Sequence, residues 1–244
     1  MNTPDPTIPP VIPEGKTPPA PPAEICLPIN NLGALFDSLL RTPRRLVWHF
    51  QHHKSSSLIA QLAVTGLLAA LAYGLVVGCF SMKEQLWIAP VKIAGGLLVS
   101  ILICLPSLYI FAALNGARAR LSHVLGLAAA FVALTMLLLI GFAPVAWIFS
   151  VSTESAAFMG ALHLVFWVVC LAFGFRFLWT SLEVFEMKPG FGFRIWLLIF
   201  LLVTLQMTCA LRPIVAGGRA FFPENKMFFL NYWVQCLNDA SLHK

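Results

Sequence analysis

The stretch LSHVLGLAAAFVALTMLLLIGFAPVAWIFSVST, residues 121–153, contains no Asp, Glu, Lys or Arg. Crossing a hydrocarbon core takes about 20 predominantly apolar helical residues. In that medium no water satisfies a free backbone N–H or C=O, so only helices and closed barrels persist. Residues 58–82, 93–117, 155–175 and 195–211 share the same lack of charge and are mostly apolar. None of the five shows the alternation of about ten residues that marks a barrel strand. The expected fold class is therefore all-α: a polytopic membrane bundle of five transmembrane helices.

Composition argues the same way. The 244-residue chain is 59% hydrophobic and 11% charged, with mean hydropathy +0.84. Soluble domains carry roughly 25% charged residues. With so much of the chain in spans, little remains for a second soluble domain of ordinary size. The net charge of +6 comes from basic residues beside the spans rather than along one polar face, so it predicts topology and not a nucleic-acid partner.

Four units follow along the chain. Residues 1–30 are rich in proline, including Pro9-Pro10, Pro18-Pro19 and Pro21-Pro22, and read as a disordered cytoplasmic head. That head has no apolar core or cleavage pattern and does not read as a signal peptide. Residues 31–56 form a juxtamembrane amphipathic basic helix. Leu32, Leu35, Phe36, Leu39 and Leu40 recur at helical spacing, and Arg41, Arg44 and Arg45 follow around Pro43. The reading is a helix lying on an anionic leaflet, its leucines in the acyl boundary and its arginines on headgroups. Residues 57–212 hold the spans, with Pro90, Pro106 and Pro144 expected to kink rather than break them. Residues 213–244 read as an interfacial segment whose Phe228, Tyr232 and Trp233 sit at headgroup level.

Orientation follows from Lys and Arg at the span ends. Arg41, Arg44, Arg45, Lys54, Arg118, Arg120, Arg176, Lys188 and Arg194 fall on one side. Lys83, Lys92, Arg212, Arg219 and Lys226 fall on the other. This predicts a cytoplasmic N-terminus, an external C-terminus and an integral protein of a bacterial inner membrane.

Chemistry-bearing residues are few. Arg176, Glu183 and Glu186 would share a face of a continuing helix and read as an ion pair and snorkelling ends near the interface. Gln206 and Arg212 close the last span as packing and anchoring residues, and His163 stands alone in the fourth. His49, His52 and His53 have metal-ligand spacing but lack a nearby cysteine or carboxylate, so no metal is expected. Cys79, Cys104, Cys170 and Cys209 act as small hydrophobes in the spans, without a disulfide framework. Gly95-Gly96, Gly116 and Gly160 would supply small faces for helix contact, while Gly126 stands alone. No phosphate loop, nucleophile elbow or zincin motif occurs, and no catalytic residue or cofactor is expected.

The runs Ala89-Pro90-Val91-Lys92, Leu105-Pro106-Ser107-Leu108-Tyr109 and Leu114-Asn115-Gly116 resemble bacterial members of the Yip1-like membrane proteins. Pro144, Leu205-Gln206-Met207 and Leu211-Arg212-Pro213 extend the likeness over about residues 35 to 240, as does the layout of five spans after a proline-rich head. In that family the eukaryotic members bind small GTPases and shape or traffic membranes, so the resemblance implies scaffolding and carries over no catalytic residue. The leading expectation is a non-enzymatic membrane scaffold or organiser that meets lipids and a protein partner or second copy. The alternative is a small channel or transporter with a path near Arg176, His163 and Gln206.

Overall fold

The computed structural model describes residues 29, 31–52, 56–79, 85–114, 120–153, 155–185 and 190–210. Every regular element among them is a helix: α1 (Leu32–Leu40), α2 (Pro43–His52), α3 (Ser56–Cys79), α4 (Gln85–Leu114), α5 (Leu121–Gly141), α6 (Ala143–Ser152), α7 (Ala156–Val184) and α8 (Phe191–Ala210). Within them, Ser56–Cys79, Leu86–Leu114, Leu121–Gly141 and Phe158–Val184 are long and apolar enough to cross a membrane. The protein is thus an integral membrane protein built from helices. The expected fifth span falls on α8, whose described apolar stretch Phe191–Met207 is shorter than the other four. The expected proline-rich head and aromatic C-terminal segment lie outside the described residues.

α5 is the centre. Two thirds of its apolar window is buried (67%), against 28% for the window in α4. α3 lies along both α4 and α5, α7 packs on α5, and α8 packs on α4. Lipid tails are as apolar as leucine, so burial of apolar area does not drive spans together; close packing does. Glycines supply that closeness at three crossings. A Cβ on Gly66 of α3 would lie 3.1 Å from Val132 Cγ1 and 3.2 Å from Ala133 Cα of α5. One on Gly74 of α3 would fall on the backbone of Pro90 in α4. One on Gly174 of α7 would lie 2.6 Å from Thr135 Oγ1 and 2.7 Å from the Phe131 ring. Of the glycines expected from sequence, Gly95 and Gly160 are not pressed, since a Cβ on either meets nothing within 4 Å, and Gly116 lies outside the described residues.

Aromatic rings tie α8 into the bundle. Phe131 of α5 stacks on Phe175 of α7 at 5.7 Å and meets Phe200 of α8 edge-on at 5.3 Å. Trp196 stacks between Phe193 and Phe200, and its Nε1–H donates to the Cys104 carbonyl at 3.1 Å and to Ser107 Oγ at 3.0 Å. The bond reaches α4 beside Pro106, where the helix ladder lacks one donor.

The prolines behave unequally. Pro90 and Pro106 lie inside the continuous α4. The stretch 121–153, expected as one span, instead divides at Phe142 into α5 and α6, with Pro144 in the first turn of α6. That position tolerates proline because its missing N–H has no intrahelical acceptor to lose. The juxtamembrane helix is likewise two helices, parted at Arg41 and Thr42, with Pro43 opening α2. At the start of α7, Ser155 caps the helix: the Phe158 N–H donates to Ser155 Oγ at 3.3 Å.

Candidate interfacial site

Sequence placed Leu32, Leu35, Phe36, Leu39 and Leu40 together in lipid, but the structure divides them. Leu35 and Leu39 are buried, whereas Leu32 and Leu40 are exposed. In α2 the apolar face is also turned inward, burying Leu46, Val47 and Phe50. α1 and α2 therefore form an arm seated on the bundle, α1 against α5 and α2 against α5 and α7. An amphipathic pattern cannot tell a lipid surface from a protein groove, since both take the same apolar stripe. The seat for α2 is Gly126, which presents no side chain to the Phe50 ring.

The three arginines separate in consequence. Arg41 and Arg44 are exposed, and Arg41 Nε lies 3.7 Å from Asp37 Oδ1, one turn back on α1. Such an exposed pair contributes little stability. Arg45 is buried with the inner face. His49 is buried too, while the exposed His52 stacks on Trp48 at 4.6 Å. Among the described residues no three His, Cys, Asp or Glu side chains gather as metal ligands, and His53 lies outside them.

The end of α2, the start of α5 and the end of α7 meet around an open cavity of about 400 Å³, lined by Gln51, His52, Arg120, His123 and Phe185. The Arg120 backbone N–H donates to His123 Nδ1 at 3.3 Å, so the neutral imidazole carries its proton on Nε2. His52 uses Nδ1–H to donate to the Trp48 carbonyl at 3.0 Å. Phe185 stacks on His123 at 5.3 Å and is itself buried. Gln51 Nε2 donates to the Val184 carbonyl at 3.5 Å, covering one of the open carbonyls that end α7. The chain gives no local sign of this cluster, because its residues come from three separate segments, two bringing two polar side chains each and the third only Phe185.

Within the bundle, His163 of α7 faces Tyr73 of α3, with Tyr73 Oη 2.8 Å from His163 Nδ1. If Nδ1 carried the proton, both the phenolic hydrogen and the Nε2 lone pair would lack partners, so the tyrosine is the donor. Nε2–H then stands without a hydrogen-bond partner among the described residues. Arg176, expected beside Glu183, is exposed. It sits about 20 Å along α7 from the buried His163. Glu183 instead accepts from Trp179 Nε1 at 2.9 Å, and the Arg194 guanidinium of α8 lies 5.8 Å above the Trp179 ring. Trp179 thus links the carboxylate of α7 to the arginine of α8. Gln206 is half-buried in α8. Arg212, Phe228, Tyr232, Trp233 and Glu186 lie outside the described residues. Lys92, expected as a flanking charge, is completely buried in α4.

No family model matches the chain, and neither a curated protein nor a solved structure is similar to it, so the likeness to Yip1-like proteins gains nothing from these comparisons.

Proposed function

We propose that the protein is a non-enzymatic, multi-pass membrane organiser that presents the α1–α2 arm as a fixed platform at the cytoplasmic end of its bundle. The observation that carries this reading is the seating of the arm: Phe50 is buried against Gly126, while Arg41 and Arg44 stay exposed on the opposite side. A helix that only floats on lipid would have no need of a shaped groove in the span behind it. Cationic side chains held at the headgroup level attract acidic lipid or an acidic partner segment, each worth about 1 kcal/mol near an anionic surface.

The cytoplasmic assignment rests on the basic residues. Setting aside Arg45 and Lys92, both buried, leaves eight cations on the N-terminal side against four on the other. A bacterial inner membrane and a protein partner or second copy of the chain belong to the same reading.

The test is reconstitution of the full chain in mixed zwitterionic and anionic bilayers. The exposed pair is replaced by Arg41→Gln with Arg44→Gln, and the anionic lipid retained around the protein is measured by mass spectrometry. Wild-type protein should retain more anionic lipid than the double variant. Equal retention would overturn the platform, and solute flux through proteoliposomes that His163→Ala abolishes would support the transporter alternative.

A further inference from the structure

The cavity between α2, α5 and α7 shares no residue with the exposed Arg41 and Arg44 platform, and it has a different chemistry. Its polar lining offers donors. Arg120 brings the guanidinium, with donors in a planar fork suited to phosphate oxygens. His123 brings Nε2–H, because its Nδ1 is already engaged by the Arg120 backbone. Gln51 brings its amide, and His52 becomes a second donor at Nε2 whenever it is protonated. Among the described residues no carboxylate pairs with Arg120 or lines the cavity.

Position narrows the ligand further. The spanning segments Leu121–Gly141 and Phe158–Val184 begin and end here, so the mouth lies at the boundary between hydrocarbon and headgroups. Phe185, stacked flat on His123, closes the inner wall with an apolar ring. At about 400 Å³ the space falls within the roughly 300–1,000 Å³ typical of small-ligand sites, larger than a bare oxyanion needs. Basic pockets between spans on the cytoplasmic side suit anionic headgroups.

We propose that this cavity is a binding site for the phosphate headgroup of an anionic phospholipid, clamped by Arg120 and His123 with Phe185 against its apolar side. A phosphomonoester headgroup fits best, since it exposes the most oxygens to the guanidinium and imidazole donors. Free inorganic phosphate shares that chemistry but lacks the acyl chains that would hold it at the bilayer boundary.

The experiment uses the full chain in zwitterionic nanodiscs doped with phosphatidic acid or, separately, with phosphatidylcholine. Bound lipid is read by native mass spectrometry after release from the disc. Phosphatidic acid should remain bound to the wild type and phosphatidylcholine should not. Arg120→Gln should weaken retention about tenfold, the order expected for losing one charge-assisted hydrogen-bonding group. His52→Gln, at an exposed ring, supplies a second variant that keeps the fold if Arg120→Gln does not, and it should weaken retention to a smaller extent. Arg41→Gln with Arg44→Gln should thin the anionic lipid gathered around the protein in the bilayer, yet leave unchanged the one phosphatidic acid per chain that survives release from the disc, so failure of the platform reading and failure of this site are distinguishable. Unchanged retention in both Arg120→Gln and His52→Gln would overturn the site. Displacement of the lipid by millimolar inorganic phosphate would overturn its assignment to a lipid headgroup.

Discussion

The ring of Phe50 in α2 stands where a side chain on Gly126 of α5 would have to be. A Cβ built there would lie 2.9 Å from both Cε1 and Cζ of the phenylalanine. The absence of one side chain on Gly126 thus lets the Phe50 ring seat the arm on the bundle. Gly126→Leu should push the ring out and unseat α2, costing about 1–3 kcal/mol by overpacking. Limited proteolysis between residues 31 and 56 should accelerate in that variant. Phe50→Ala added to it should restore part of the lost melting temperature, and additive losses would show that the two residues do not share a seat.

A sharper ranking comes from the other glycines. At Gly74 the obstacle is the Pro90 backbone, which cannot rotate away as a ring can. At Gly95 and Gly160 the space is open. Gly74→Ala should thus lower the melting temperature in detergent well beyond Gly126→Ala. Gly95→Ala and Gly160→Ala should be neutral or slightly stabilising, because alanine favours helix over glycine by about 1 kcal/mol. Equal losses at all four positions would mean that helix crossing distances are not set where the structure puts them.

That ranking shows where sequence stops being informative. Runs without charge revealed the helices, because lipid imposes one rule on every residue in a span. Which glycine is pressed depends on the facing helix, and Gly66, Gly74 and Gly174 carry no local mark that separates them from Gly95. The same holds for the cavity, whose Gln51, Arg120 and Phe185 become neighbours only after three helices pack. Pro144 looks like Pro106 in the chain, yet one opens a new helix and the other stays inside α4. The difference lies in Gly141 and Phe142, where the helix has already turned before the proline arrives. Lys92 reads in the chain as a charge flanking a span, whereas its side chain is packed inside.

The Tyr73–His163 pair invites a two-sided test. Tyr73→Phe removes a donor and leaves His163 Nδ1 without its proton donor, in a ring where Nε2 already lacks a partner among the described residues. Interhelical hydrogen bonds in membranes average about 0.6 kcal/mol, so the loss of stability should be small. His163→Leu leaves the fully buried phenol unpaired and should cost more than Tyr73→Phe. The double variant Tyr73→Phe with His163→Leu should then recover part of that cost. A double variant as unstable as the sum of the singles would show that the two rings do not interact.

The span count has its own test, and α8 decides it. Its 20 residues measure about 30 Å, enough to cross a hydrocarbon core, although its described apolar stretch is the shortest of the five. If α8 crosses, the ends of the chain lie on opposite sides; if it only lies against α4 near one surface, they lie on the same side. Cys26 and Cys236 report on this directly once Cys79, Cys104, Cys170 and Cys209 are replaced by serine or alanine. An impermeant maleimide applied to intact cells should label Cys236 and spare Cys26, and permeabilised cells should label both. The buried ring column of Phe193, Trp196 and Phe200, bonded through Trp196 to Cys104 deep in α4, favours the crossing, because a surface helix would not reach that depth. Labelling of neither cysteine in intact cells, or of both, would require an even number of crossings and a different place for α8.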